Sequence, residues 1–167
     1  MMSPILTPDL DDVAKNALEV LKLIESTGTE PFHDLWDSYA EERDGIVELL
    51  TSARSQPIVI SGDVHISVEG QLSGFGREIP EWTIPSVTSQ NLDDKKGWAK
   101  RTKSLEFEDH VLQGHTDWTY CNFDDHGYAL IEVTTERVTC QWKFIEEVLA
   151  RDDGVSVGHV AFRSSAS

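Results

Sequence analysis

Between Pro57 and Ser67 the chain reads Pro-Ile-Val-Ile-Ser-Gly-Asp-Val-His-Ile-Ser. An uninterrupted β-branched run ending in glycine, acid and imidazole leaves few folds open. A short all-apolar run is the pattern of a strand covered on both faces, and such strands belong to mixed α/β architectures. If the chain stays extended beyond Ser61, the two-residue period of a strand puts Asp63 and His65 on one face at its carboxyl end. Open α/β sheets bind ligands at that edge. Gly62 lacks a Cβ, so the backbone there is free to turn or to approach a bound group. An oxygen donor and a nitrogen donor side by side make half of a metal site.

The flanking segments predict two helices and then mostly strands. Thr7-Pro8-Asp9 has the form of a helix start. Leu10, Val13, Ala14, Ala17, Leu18, Leu21 and Ile24 follow at helical spacing up to Gly28. A second amphipathic helix is expected from Ala40 to Ala53, with Ile46, Val47, Leu49 and Leu50 turned inward. Past His65, residues 68–75 are rich in Gly and Ser and read as a turn or loop. Trp82-Thr83-Ile84 reads as a short strand, and residues 89–104 as a polar, irregular surface segment. Trp118–Phe123, Tyr128–Thr134 and Val138–Phe144 are strand candidates, the last two joined by a tight turn at Thr135-Glu136-Arg137. Val138, Cys140, Trp142 and Phe144 alternate onto one face. The expected organisation is one domain over residues 1–150, with residues 151–167 as a frayed tail. Asp124-Asp125-His126 precedes a strand and reads as a solvated turn.

Charge and cysteine usage narrow the functional classes. Thirty acidic against 14 basic residues give a net charge of −16, a surface that repels nucleic-acid backbones. Lys95, Lys96, Lys100, Arg101 and Lys103 form the one basic run, either a solvated face or an attractor of anionic substrate. No apolar segment has the length of a membrane span, and Met1–Asp12 lacks the features of a secretory signal, so a cytoplasmic location is the default expectation. Cys121 and Cys140 fit neither a disulfide framework nor a zinc pattern and are expected as buried free thiols.

Four segments, in order, resemble the PhoD-like phosphatases (alkaline phosphatase D) of the calcineurin-like metallophosphoesterase superfamily. Ser61-Gly62-Asp63-Val64-His65 resembles the family's signature after a hydrophobic strand. Asp34-Leu35-Trp36-Asp37-Ser38-Tyr39 with Glu42-Arg43 is similar to its Trp-Asp-Gly-Tyr…Arg segment, although Ser38 replaces the glycine. Pro85-Ser86-Val87-Thr88-Ser89 resembles its Ser-Val-Thr-Ser element, and His126-Gly127-Tyr128 its Gly-Tyr strand. The resemblance runs from about Pro4 to about Leu149 and covers the carboxyl-terminal half of the family's catalytic domain. It implies an α/β (α+β) fold: half of an α-β-β-α sandwich, with two N-terminal helices followed by a mostly antiparallel sheet.

The resemblance also implies metal-dependent hydrolysis of a phosphoester, with calcium and iron as the family's ions. Asp63 and His65 are then metal ligands, and His65, the catalytic position, or a neighbouring histidine orients the phosphate. Asp37, Tyr39 and His115 are substrate-pocket positions; His115 stands in Gln113-Gly114-His115, where the family has Asn-Pro-His. A two-metal centre holds its ions about 3.5–4 Å apart and needs roughly six to eight protein donors. The family's earlier Asp-x-Cys or Asp-x-His, Gly-Asp and Asn-His segments have no counterpart in this sequence. The expectation is therefore a truncated or split hydrolase, inactive alone and completed by an N-terminal half on another chain, its substrate a small phosphoester. A non-catalytic β-rich binding or structural module is the alternative. No nucleic-acid or membrane partner is expected.

Overall fold

The computed structural model describes residues 39–72, 76–114, 116–149 and 154–164. The expected first helix, Asp37 and His115 lie outside them. The elements in order are α1 (Ala40–Ser52), β1 (Val59–Ser61), β2 (Ser67–Leu72), β3 (Ile79–Thr83), α2 (Leu92–Lys96), α3 (Lys103–Gly114), β4 (Trp118–Asn122), β5 (Gly127–Val133), β6 (Arg137–Ile145) and β7 (Val155–Ser164). Among the described residues two sheets form, with strand orders β1-β3-β2-β4 and β5-β6-β7. β1 runs parallel to β3, and every other described pairing is antiparallel. This is the mixed α+β architecture with antiparallel sheets that the sequence predicts.

Alternation along the strands explains the layers. Val68 and Cys121 pair across β2 and β4 and face α2 and α3, packing with Leu92, Val111, Trp118 and Phe123. Val59, Leu72 and Ile79 continue that face and receive Val47 of α1. The opposite face carries Trp82, which packs on Cys140, Trp142, Phe144 and Ala161 of the second sheet. Trp142 is fully buried, meets Trp82 edge-on at 6.4 Å and donates from Nε1 to the Thr83 carbonyl at 2.9 Å. A second bridge between the sheets joins His159 Nε2 to Glu69 Oε2 at 2.6 Å, the imidazole lying flat on Tyr120. Cys121 and Cys140 are buried free thiols on opposite faces, each pushed up to about 12 chiefly by burial.

Several expectations are corrected. β1 is not covered on both sides: among the described residues it pairs only with β3, and Ile60 is 52% exposed. Leu49 of α1 faces solvent, because 100° per residue carries it off the stripe that Val47 leads. Residues 67–72 are a central strand rather than a loop. Gly70 belongs there because Trp118 and the Asp117 carbonyl come within 3.1 and 3.2 Å of where its Cβ would stand. Residues 89–104 hold α2 and the start of α3. Asn91 closes a capping box with Asp94, and Gly97 ends the helix at φ 63°. Within the expected tail, residues 155–164 form β7, nine of which pair with β6 across a bulge at Trp142/Lys143.

Gly127 starts β5, and a Cβ there would collide with the Lys143 carbonyl oxygen on β6. Gly127→Ala is expected to lower unfolding free energy by about 1–3 kcal/mol, the usual cost of overpacking. The urea midpoint checks this; an unchanged midpoint would mean that β5 and β6 do not approach this closely.

Candidate functional site

The Asp63–His65 couple sits where β1 leaves its sheet. Ser61 is fixed twice: its carbonyl accepts from Ile84 N at 2.9 Å, and its hydroxyl lies 2.9 Å from Thr83 Oγ1 in a buried contact. Beyond Ser61 the chain does not remain extended. Asp63 (φ 74°) and His65 (φ 61°) both adopt the left-handed conformation. The period-two argument for a shared strand face therefore fails, and the two side chains are instead presented by a tight, twice-reversed turn into β2. Gly62 is not the strained position: a Cβ there would meet Ile84 O at an ordinary 3.6 Å. Left-handed geometry costs an L-residue roughly 1–3 kcal/mol, and such costs concentrate at functional sites.

His65 is half-buried and anchored, its Nδ1 lying 2.9 Å from the Gln90 carbonyl oxygen. A carbonyl only accepts, so Nδ1 carries the proton, and the Nε2 of the neutral ring keeps its lone pair. This is the tautomer and the backbone anchor of a metal-ligating histidine. Asp63 is exposed beside it. Gln90 directly follows the Ser86–Ser89 turn, in which the Ser86 hydroxyl accepts from Ser89 N at 2.9 Å and more weakly from Thr88 N. The Ser-Val-Thr-Ser segment thereby positions the carbonyl that orients His65. Tyr39 lies at the amino end of α1, 52% exposed, and makes no hydrogen bond or ring contact with the couple among the described residues.

A donor set must be counted before a metal is assigned. Among the described residues no group of three or more His, Cys, Asp or Glu is placed to hold an ion. Asp63 and His65 suit a mixed oxygen–nitrogen cradle in kind and fall short of a dinuclear one in number.

A second polar cluster lies at the turn from β4 to β5, where a solvated loop was expected. Asp124 is 1% exposed; it accepts from Arg101 N at 2.7 Å and from the Ser104 hydroxyl, while its backbone carbonyl accepts from the Asn91 amide. Glu108, also buried, accepts from Arg101 at 2.6 Å and from Phe123 N at 2.8 Å. Burial pushes the Glu108 carboxyl up against the opposing pull of Arg101. Lys100 pairs with Asp125 at 2.9 Å, Lys103 stands over Trp98, and His126 Nε2 meets Asp94 Oδ2 at 3.0 Å. Three of the five residues in the basic run are thus held by contacts within the fold. Sequence reasoning missed this network; the Asn91-x-x-Asp94 capping pattern was the available signal.

Comparison with known proteins gives the family and the fold. The model of the PhoD-like phosphatases matches residues 11–142, and the chain belongs to that family. A solved structure titled "Structure of PhoD" aligns with a TM-score of 0.62 at 22% identity, covering 78% of this chain and 25% of that one. The chain thus spans about a quarter of the length of that protein. No curated protein matches.

Asp93 supplies a test of the buried cluster. Burial, then the nearby Asp124 charge, raise its carboxyl above the ordinary aspartate value. A folded-state value above the unfolded one contributes stability at low pH that is lost as pH rises through the folded value. Asp93→Asn, which keeps an oxygen for Asp94 N, should therefore raise Tm at pH 8. At this chain length about 1 kcal/mol corresponds to roughly 2–4 °C. Paired melts from pH 8 to pH 4 check it; the gap should close on acidification, and a gap that widens would contradict the assignment.

Proposed function

We propose that this chain contributes the carboxyl-terminal metal-binding residues of a PhoD-type phosphoester hydrolase. The carrying observation is the His65–Gln90 hydrogen bond, which leaves Nε2 of an anchored imidazole ready to ligate beside the Asp63 carboxylate. Family membership and the matching fold support the reaction class.

In this reading Asp63 offers a hard, anionic oxygen suited to calcium, and His65 a borderline nitrogen suited to iron, the pair of ions the family resemblance implies. Such ions, when bound, supply Lewis acidity toward a phosphoryl oxygen. The chain's own contribution is positional. The Ser61–Thr83 contact and the Gln90 carbonyl hold the turn from which both donors would reach an ion. With Nδ1 on the Gln90 carbonyl and Nε2 given to the ion, His65 would act on a phosphate only through the ion it holds. Asp37, Tyr39 and His115 remain the pocket positions proposed from family resemblance. The remaining ligands would come from polypeptide outside this chain, an N-terminal half carried on another chain, and the substrate would be a small phosphoester.

A non-catalytic binding module is the second reading, favoured by the two-donor count among the described residues. Phosphodiester turnover separates the two. The chain purified alone with calcium and iron is expected to be silent. The assembly isolated from its native source is expected to turn over bis(4-nitrophenyl) phosphate and to lose at least a hundredfold in kcat with Asp63→Asn. A native assembly without turnover would favour the binding module; turnover by the isolated chain would overturn the incompleteness.

A further inference from the structure

In a chain carrying −16, three of the seven arginines line one cavity of about 290 Å³. Arg54 comes from the α1–β1 linker, Arg137 from the first position of β6 and Arg163 from the carboxyl end of β7. No described residue lining the cavity is acidic. Among the described residues, no hydrogen bond or ion pair engages these three guanidinium groups, whereas Arg43, Arg77 and Arg101 are all held by partners. Cationic residues that line one concave space, with no acidic residue among its described lining, repel one another, and a bound anion relieves that repulsion.

The walls are built rather than loose. Arg77 donates to the Ala53 and Ser55 carbonyls, both at 3.0 Å, and so fixes the linker on either side of Arg54. Thr134 Oγ1 accepts from Glu136 N and Arg137 N and donates to the Arg137 carbonyl, locking the hairpin that presents Arg137. Arg163 is held in register opposite Val138. Ile58 also lines the cavity and precedes β1, whereas Asp63 follows it. The cavity and the metal-ligand turn therefore lie at opposite ends of that strand, separated by at least its length of roughly 10 Å.

We propose that this cavity binds a phosphate group, free or as the terminal group of a small phosphomonoester. Guanidinium forks match tetrahedral oxyanions with paired, charge-assisted hydrogen bonds, and three of them surround a single group better than they would a planar carboxylate. Ser55 also lines the cavity and brings a hydroxyl as a neutral donor. The site is independent of the Asp63–His65 couple.

Calorimetric titration of the full chain in EDTA, at ionic strength fixed with chloride, tests this with two probes, inorganic phosphate and glycerol 3-phosphate. Saturable one-site binding of at least one probe is expected, with Kd raised at least tenfold in Arg137→Gln/Arg163→Gln and unchanged in Asp63→Asn. Tighter binding of the ester would identify a small-molecule ligand; equal or tighter binding of inorganic phosphate would identify the free ion. Should the double variant fail to fold, Arg54→Gln, on an exposed linker, is expected to weaken binding at least threefold. No saturable heat with either probe, wild-type affinity in the arginine variants, or loss of binding with Asp63→Asn would overturn the proposal.

Discussion

The indole of Trp142 is the contact on which the arrangement rests. Buried between the sheets, it fills the space beside Trp82 and satisfies its Nε1 on the Thr83 carbonyl. An aromatic of that size buries about 150–250 Å², and its polar tip must find a partner when it does. Here the partner lies on the strand that holds β1. Thr83 touches Ser61 through paired hydroxyls, and Ile84 N bonds the Ser61 carbonyl. The core of the second sheet is thereby connected, through β3, to the residue immediately before Gly62-Asp63. The candidate site is exposed and strained, but its foundation is fully buried.

That foundation also explains how two left-handed residues persist. The turn between β1 and β2 is short, both flanking strands pair with β3, and Gln90 holds the His65 ring from a separate segment. A constrained backbone of this kind fixes the two side chains in place, at an energetic cost that the paired strands offset. The buried Asp124–Arg101–Glu108 cluster plays a complementary part. It ties α2 and α3 to the β4–β5 turn, and so holds the segment that follows the Gln90 carbonyl.

Much of this was legible from residue order. The β-branched run gave β1, strict alternation gave β6 with Cys140, Trp142 and Phe144 inward, and four ordered segments identified the family. What escaped reading did so for physical reasons. α3 buries Ser104 and Glu108 on its inner face, so its apolar period is interrupted by polar residues that find partners only in the fold. β2 carries Gly70 beneath Trp118 and Glu69 opposite His159, both set by contacts remote in sequence. β7 keeps Val155, Val157, Val160 and Phe162 about half or more exposed and acquires its order from β6. At the site, the extended conformation expected for Asp63 and His65 does not form, because the turn depends on the separate Gln90 segment.

The central claim is that Asp63 and His65 together form part of a cation cradle. Paramagnetic line broadening tests it most directly, with substoichiometric Mn²⁺ added to ¹⁵N-labelled chain. The account predicts that amide signals of residues 62–66 and the Gln90 region broaden first, and that Asp63→Asn abolishes the effect. Broadening spread evenly over the acidic surface, with no preference for that turn, would contradict it.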